Sequence, residues 1–269
     1  MTPQTIVCVH AHPDDEALFT AGATSYYADQ GHRLVLITCT YGQLGIDGAG
    51  RPGNAEGHDD LGTRATRAME LQRAGELCGF ARQVSLGYLD SGMVGWSSYA
   101  DPHAFVNVDV ERAARQVAAV LDAEEATVVI TYDENGFYGH PDHVTAHRVT
   151  RRAVELSTSA QRLFYPVIPR PVISEFVRRA SEEGVFMPAW VSDATLDTDE
   201  DQVAVRLDVR DRASLKQRAI ALHASQIDNA DLVSMSSDLF ELLFGVEYYR
   251  LGWSRGASTT NNDLLGGLS

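Results

Sequence analysis

The stretch Ile6-Val7-Cys8-Val9-His10-Ala11-His12-Pro13-Asp14-Asp15-Glu16 passes from an apolar run to a cluster of metal-ligating and acidic side chains. A short, unbroken apolar run suits a strand buried on both faces. Pro13 suits the start of a helical turn, since its fixed φ fits there and its missing donor is not needed. Working outward, a helix is expected over Glu16–Gln30, closed by Gly31, and a second buried strand over Arg33–Thr38. Further apolar runs at Val84–Leu86, Thr127–Thr131 and Arg162–Val167 alternate with helical patterns at Thr63–Leu77, Asp109–Asp122 and His143–Leu156. Such alternation indicates a mostly parallel sheet with helices on both faces.

The segment Gly42–Asp60 is rich in Gly and Asp and has almost no periodicity, so it is read as a long functional loop. Beyond Pro171 the pattern changes. A helix is expected near Val172–Ser181, an acidic stretch at Asp197–Asp201, a strand over Val203–Leu207 and a helix over Ala213–Ser225. No linker separates these parts. Residues 1–269 are therefore expected to form one α/β domain: a Rossmann-like core over 1–170, a C-terminal α+β elaboration over 171–253 and a flexible tail over 254–269.

Charge narrows the function. The chain has 22 basic and 37 acidic residues, a net charge of −15, and such a surface repels phosphate backbones and anionic lipid. Neither nucleic acid nor a membrane is an expected partner. Cys8, Cys39 and Cys78 are odd in number and form no C-x-x-C pair, which argues against a disulfide framework. No apolar run approaches the roughly 20 residues of a membrane span, and no signal peptide is apparent. A cytoplasmic protein is expected; its oligomeric state is not legible.

A second cluster, Tyr138-Gly139-His140-Pro141-Asp142-His143, follows the apolar run at Thr127–Thr131. Both clusters lie at the carboxyl ends of expected parallel strands, the edge where open α/β sheets bind ligands. Two imidazoles and a carboxylate suit Zn²⁺, and three protein ligands leave a fourth position open. His12 and Asp15 share one face of a helical turn, and His143 can join them from the second cluster. Asp14 is then free as a base towards an activated water. Asp142 and Glu16 are candidates for carboxylates that orient the ligand imidazoles. The same ligands tolerate Fe²⁺ and Co²⁺.

With both motifs in order, the chain resembles the PIG-L/LmbE-like zinc N-deacetylases, which hydrolyse the acetamide of N-acetylglucosaminyl compounds. The resemblance covers roughly the first 165 residues and fades beyond Pro171. It implies one Zn²⁺ per chain on His12, Asp15 and His143, with Asp14 as general base. It further implies that His140 stabilises the oxyanion or protonates the leaving amine, and that Tyr138 polarises the carbonyl. Leu86-Gly87-Tyr88-Leu89-Asp90-Ser91-Gly92-Met93 resembles the branch serving mycothiol metabolism. That branch implies Asp90 and Arg64 on sugar hydroxyls and Met93 in the pocket wall.

Two positions depart from the branch. Phe19 stands where a polar residue usually faces substrate, so an aromatic there narrows the pocket or stacks on a sugar or apolar aglycone. Gln43 stands where many relatives have glutamate. Both bear on the substrate rather than on the metal chemistry. A small amino-sugar substrate of the N-acetylglucosaminyl-inositol kind is expected. The alternatives are a deacetylase tailoring an amino-sugar antibiotic, an amidase of mycothiol S-conjugates, and a non-catalytic metal-bearing sugar-binding module.

Overall fold

Strand β1 (Thr5–His10) is followed by α1 (Asp15–Phe19), α2 (Ala21–Asp29), β2 (Arg33–Thr40), α3 (Asp60–Leu77) and β3 (Arg82–Tyr88). Next come α4 (Val110–Ala123), β4 (Val128–Ile130), α5 (Gly136–Gly139), α6 (Pro141–Leu156), β5 (Arg162–Pro169) and α7 (Arg170–Glu182). The chain continues with β6 (Asp197–Thr198), β7 (Val205–Asp208), α8 (Ala213–Leu222), α9 (Ala230–Ser234), α10 (Ser237–Phe244) and β8 (Val246–Ser254). The computed structural model describes residues 2–185, 197–256 and 259–268.

The sheet runs β3-β2-β1-β4-β5-β8-β7, with β6 paired to β5. Pairings from β3 to β5 are parallel, whereas β8 runs antiparallel to both β5 and β7. This is the α/β architecture expected from the alternating pattern. Every residue of β1 and β5 is buried, and β2 exposes only Arg33. Burying each Val, Leu or Ile side chain contributes about 1.5–3 kcal/mol, so these runs hold the sheet's centre. The chain winds outward from β1 to β3 and then returns to β4 on the other side of β1. Strand order therefore reverses between β1 and β4, where ligands enter folds of this kind.

Several elements differ from the sequence reading. The helix expected over Glu16–Gln30 breaks at Thr20 (φ −135°), whose hydroxyl bonds Glu16 O and faces His10 Nε2 at 3.1 Å. The break lets α1 serve the sheet edge while α2 follows its own packing. The helix expected to Ser225 ends at Leu222, and the strand expected over Val203–Leu207 is β7 at Val205–Asp208. The acidic stretch from Asp197 includes the short strand β6. The tail is not loose over 259–268. Leu264 is fully buried, its N–H bonds the Tyr27 hydroxyl, and Arg162 holds the carbonyls of Thr259 and Leu264.

The loop between β2 and α3 is also built rather than slack. Asp47 accepts the N–H groups of Ala49 and Arg51 on one oxygen, and the Arg51 side chain and the Asp59 N–H on the other. His58 bridges Gly45 O and Asp60, both at 2.8 Å. Cys8, Cys39 and Cys78 are buried and unpaired. Among the described residues no helix is long and apolar enough to cross a membrane.

Candidate metal centre

The loop after β1 is fixed by hydrogen bonds to the loop after β4. Ala11 N–H donates to the Tyr132 hydroxyl at 2.8 Å, and that hydroxyl donates to Asp15 Oδ2 at 2.6 Å. The same carboxylate oxygen accepts the His12 N–H at 2.7 Å. On the other side, α6 begins at Pro141 with His140 as its N-cap, His140 Nδ1 accepting the Asp142 N–H at 3.2 Å. Asp142 and His143 thus fall in the first turn of α6.

The two segments meet at atomic contact. His12 Nδ1 lies 3.3 Å from His143 Nε2 and 3.4 Å from Asp15 Oδ2, and His143 Nε2 lies 3.4 Å from Asp15 Oδ1. A tetrahedral zinc site with bonds near 2.0–2.1 Å has ligand-to-ligand edges of ~3.4 Å. These three groups could therefore hold a divalent ion without rearrangement. Their outer nitrogens are already taken: His12 Nε2 faces Asp142 Oδ2 at 3.2 Å, and His143 Nδ1 faces the Gly136 carbonyl at 3.2 Å. Such contacts fix the tautomer and tilt of ligand imidazoles.

Glycine is required at position 136. Its φ is +67°, and a Cβ there would lie 2.7 Å from the Val144 nitrogen and 2.9 Å from His143 Cβ. Asp142 is buried and accepts both the N–H (2.9 Å) and the hydroxyl of Ser91. His12–His140–His143 and His12–Asp90–Asp142 also bring three possible ligand atoms within 4.8 Å of one another. All three groupings share His12, so the possible ligand atoms crowd around its ring.

The electrostatics favour positive charge. Burial pushes His12 towards neutrality, but Asp90, Asp142 and Asp15 outweigh it and hold its pKa well above the ordinary value. Burial likewise opposes ionised Asp15, yet His143 and His12 hold its carboxyl well below the usual range. A buried site that retains an imidazolium among carboxylates is one a dication suits. His140 is different: burial, reinforced by His12 and His143, drives its pKa well below the ordinary value.

Asp14 stands beside this cluster in a backbone conformation, φ +123° and ψ −25°, that few L-residues adopt. Its N–H donates to Glu16 Oε2 at 3.0 Å, Arg67 Nη2 lies 3.0 Å from Oδ1, and Asn229 donates to Oδ2 at 3.4 Å. Burial raises the Asp14 pKa and Arg67 partly offsets it. A cleft of about 870 Å³ opens over the cluster, lined by His12, Asp14, Asp15, Phe19, Asp90, Met93, Tyr138 and His140.

Of the residues expected to touch substrate, Arg64 does not reach the cleft, while His143, Asp142, Glu16 and Gln43 stand behind its wall. Arg64 is exposed, with its guanidinium stacked 3.2 Å over the Tyr41 ring. The inward stripe of α3 is Thr63, Arg67, Glu70 and Ala74. Arg67 therefore lines the cleft, bonding Gly42 O at 2.8 Å and also Pro13 O. Phe19 lies edge-on to Phe137, Tyr132 and His143, with ring centroids 4.7, 5.4 and 6.0 Å away. Gln43 clamps the Asp90 backbone, accepting its N–H at 3.0 Å and donating to its carbonyl at 3.3 Å. Tyr132, Ser91, Trp96 and Asn229 had no sequence signal.

Comparison with known proteins agrees with this geometry. Residues 7–154 match the PIG-L family, described as GlcNAc-PI de-N-acetylase. A curated relative from Salinispora arenicola, named 1D-myo-inositol 2-acetamido-2-deoxy-alpha-D-glucopyranoside deacetylase, is 34% identical over 289 residues, covering 98% of this chain and 91% of its own. The solved N,N'-diacetylchitobiose deacetylase of Pyrococcus horikoshii superposes with a TM-score of 0.59 at 17% identity, over 93% of this chain and 84% of its own. A 4-carboxy-2-hydroxymuconate hydratase from Pseudomonas putida gives 0.58 at 14% identity, over 95% and 98%. Fold likeness at that identity therefore leaves the chemistry open, and the family rests on the sequence match: this chain belongs to the GlcNAc-PI de-N-acetylase (PIG-L) family.

Proposed function

We propose that the protein is a zinc-dependent hydrolase that removes the N-acetyl group from a small N-acetylglucosaminyl-inositol-like glycoside. The convergence of His12 Nδ1, His143 Nε2 and the Asp15 carboxylate at 3.3–3.4 Å, with Asp14 beside them, carries this reading. Relatives named as inositol 2-acetamido-2-deoxy-glucopyranoside deacetylases support the substrate class. A zinc ion on these ligands supplies Lewis acidity that polarises an amide carbonyl and lowers the pKa of water to about 7.

The remaining work falls to side chains. Asp14 accepts a proton from the attacking water as the new C–O bond forms. His140, whose Nδ1 accepts the Asp142 N–H, carries its proton on Nε2 when neutral and can donate it to the developing oxyanion. Tyr138 donates to the same oxygen. The C–N bond then breaks as the amine nitrogen takes the proton that Asp14 accepted from water, and acetate and the free amine leave. Asp90 and Arg67 are placed to meet sugar hydroxyls, and Met93 and Phe19 to pack against the rings.

The test is direct. Purified protein should bind about one divalent metal per chain and release acetate and primary amine from N-acetylglucosaminyl-inositol. Asp14→Asn should keep the metal and lose roughly 10²–10⁴-fold in turnover; wild-type turnover overturns the base assignment. The apolar lining by Leu44, Met93, Trp96, Phe137 and Ile227 favours a second reading with a larger apolar aglycone or acyl group. A panel of N-acylated amino sugars, scored by amine release, separates the two. Metal binding without amine release from any substrate identifies a sugar-binding module instead.

A further inference from the structure

His223 lies in the C-terminal part of the chain, more than two hundred residues from the metal motif, yet its Nε2 is 2.6 Å from Glu16 Oε1. Both side chains are fully buried, and neither lines the cleft. His223 therefore touches no substrate. Whatever it does, it does through Glu16. The other oxygen of that carboxylate, Oε2, accepts the N–H of Asp14 at 3.0 Å. Among the described residues, that is the one hydrogen bond the Asp14 N–H makes. Asp14 holds φ +123°, so its backbone needs outside restraint to stay there.

We propose that His223 is a positioning residue that, through Glu16, holds Asp14 in the strained conformation from which its carboxylate acts as base. The inference rests on Asp14 being that base. A carboxylate buried this deeply must be paired, and the imidazole N–H supplies the pairing while fixing which way Glu16 points. Without it, nothing fixes the direction of the Glu16 carboxylate, the Asp14 amide loses its acceptor, and the backbone relaxes towards an ordinary φ. Arg67 and Asn229 hold the Asp14 side chain, and Arg67 also bonds the Pro13 carbonyl of the same peptide, but the Asp14 N–H itself is held by Glu16.

The fold delivers His223 independently of this contact. It sits where α8 ends, and two residues later Ser225 donates both its N–H (2.8 Å) and its hydroxyl (2.6 Å) to the Glu70 carboxylate on α3. Removing the His223 side chain therefore leaves the segment anchored. A tie from outside the metal motifs can thus set catalytic geometry without altering a ligand.

The experiment is a cycle of His223→Ala and His223→Gln, each in wild-type and Asp14→Asn backgrounds, on zinc-loaded enzyme. His223→Ala should lower kcat about 100-fold, with KM within about twofold and zinc content and melting temperature retained. His223→Gln, whose amide can donate to the same oxygen, should recover to within about 10-fold of wild type. In the Asp14→Asn background, His223→Ala should change kcat less than about twofold, since its effect passes through Asp14. Unchanged kcat in His223→Ala overturns the proposal. So does a full 100-fold loss added on top of Asp14→Asn, or a loss tracking zinc content or melting temperature. Asp14→Asn retaining wild-type turnover overturns the base reading instead, and the two failures are separate observations.

Discussion

The parallel strands β1 to β5 and the segment from α8 to β8 face the same cleft, but they contribute to it in different ways. The first region carries its chemistry in two contiguous runs, because a strand's carboxyl end and the following helical turn place neighbouring residues in one spot. His12, Asp14 and Asp15 are thus neighbours in sequence as well as in space, and so are His140, Asp142 and His143. The second region contributes single residues to the wall, Lys216, Asn229, Phe244 and Glu247, each from a different element or turn, and His223 stands behind the wall against Glu16. A ligand set can be written as a motif, whereas a wall or a brace is distributed. Damage to the first should therefore cost metal, and damage to the second should cost stability or alignment.

The sharpest test of that division is His143→Ala. It removes one of three donors and the only one contributed by α6, and small changes to the groups around such ligands already cost 10–100-fold in affinity. Metal occupancy at micromolar zinc should fall at least about 100-fold and deacetylation with it, while the circular dichroism spectrum stays that of the folded chain. Full metal occupancy in this variant would move the site to another donor set around His12.

Next in size is Lys216→Met. Lys216 Nζ bonds Glu247 Oε1 at 2.7 Å, with both side chains almost wholly buried, and lies 4.8 Å over the Phe244 ring. Glu247 also accepts the N–H groups of Gly22 and Ala23 at 2.9 Å and the Tyr249 hydroxyl at 2.6 Å. It thereby ties β8 to the start of α2. Removing the ammonium leaves a buried carboxylate unpaired, at a cost of about 3–5 kcal/mol in unfolding free energy. Urea denaturation should show this loss, while zinc affinity of the folded protein is unchanged. A fall in zinc affinity would mean that the two regions are not separable.

The same division explains what could be read from the chain alone. The parallel sheet was legible because β1, β2, β4 and β5 are unbroken apolar runs. Strand β8 was not: it is half-buried except at Glu247 and Tyr249, and its sequence is no unbroken apolar run. The meeting of His12, Asp15 and His143 was legible because ligand types crowd the ends of two strands. Arg67 was missed in favour of Arg64, although Thr63, Arg67, Glu70 and Ala74 recur every three to four residues and share the buried face of α3. Periodicity carried that answer, while the charge alone favoured neither arginine. His223 lies 207 positions from its partner Glu16 in the chain, and no local pattern encodes such a distance.

The smallest expected effect tests a residue of the first region that behaves like the second. Gln43 grips Asp90 with both ends of its amide, Oε1 taking the Asp90 N–H and Nε2 giving to the Asp90 carbonyl. Glutamate at this position keeps the acceptor but loses the donor, and sets a second carboxylate next to Asp90. The Asp90 carbonyl then stays buried without a partner, worth about 1 kcal/mol in alignment, or roughly fivefold in affinity. Gln43→Glu should therefore raise KM for the amino-sugar substrate about fivefold and leave kcat and zinc content unchanged. If kcat falls instead, Asp90 acts on the reacting amide rather than on the sugar, and the chemistry in this cleft extends from β1 and β4 out to the end of β3.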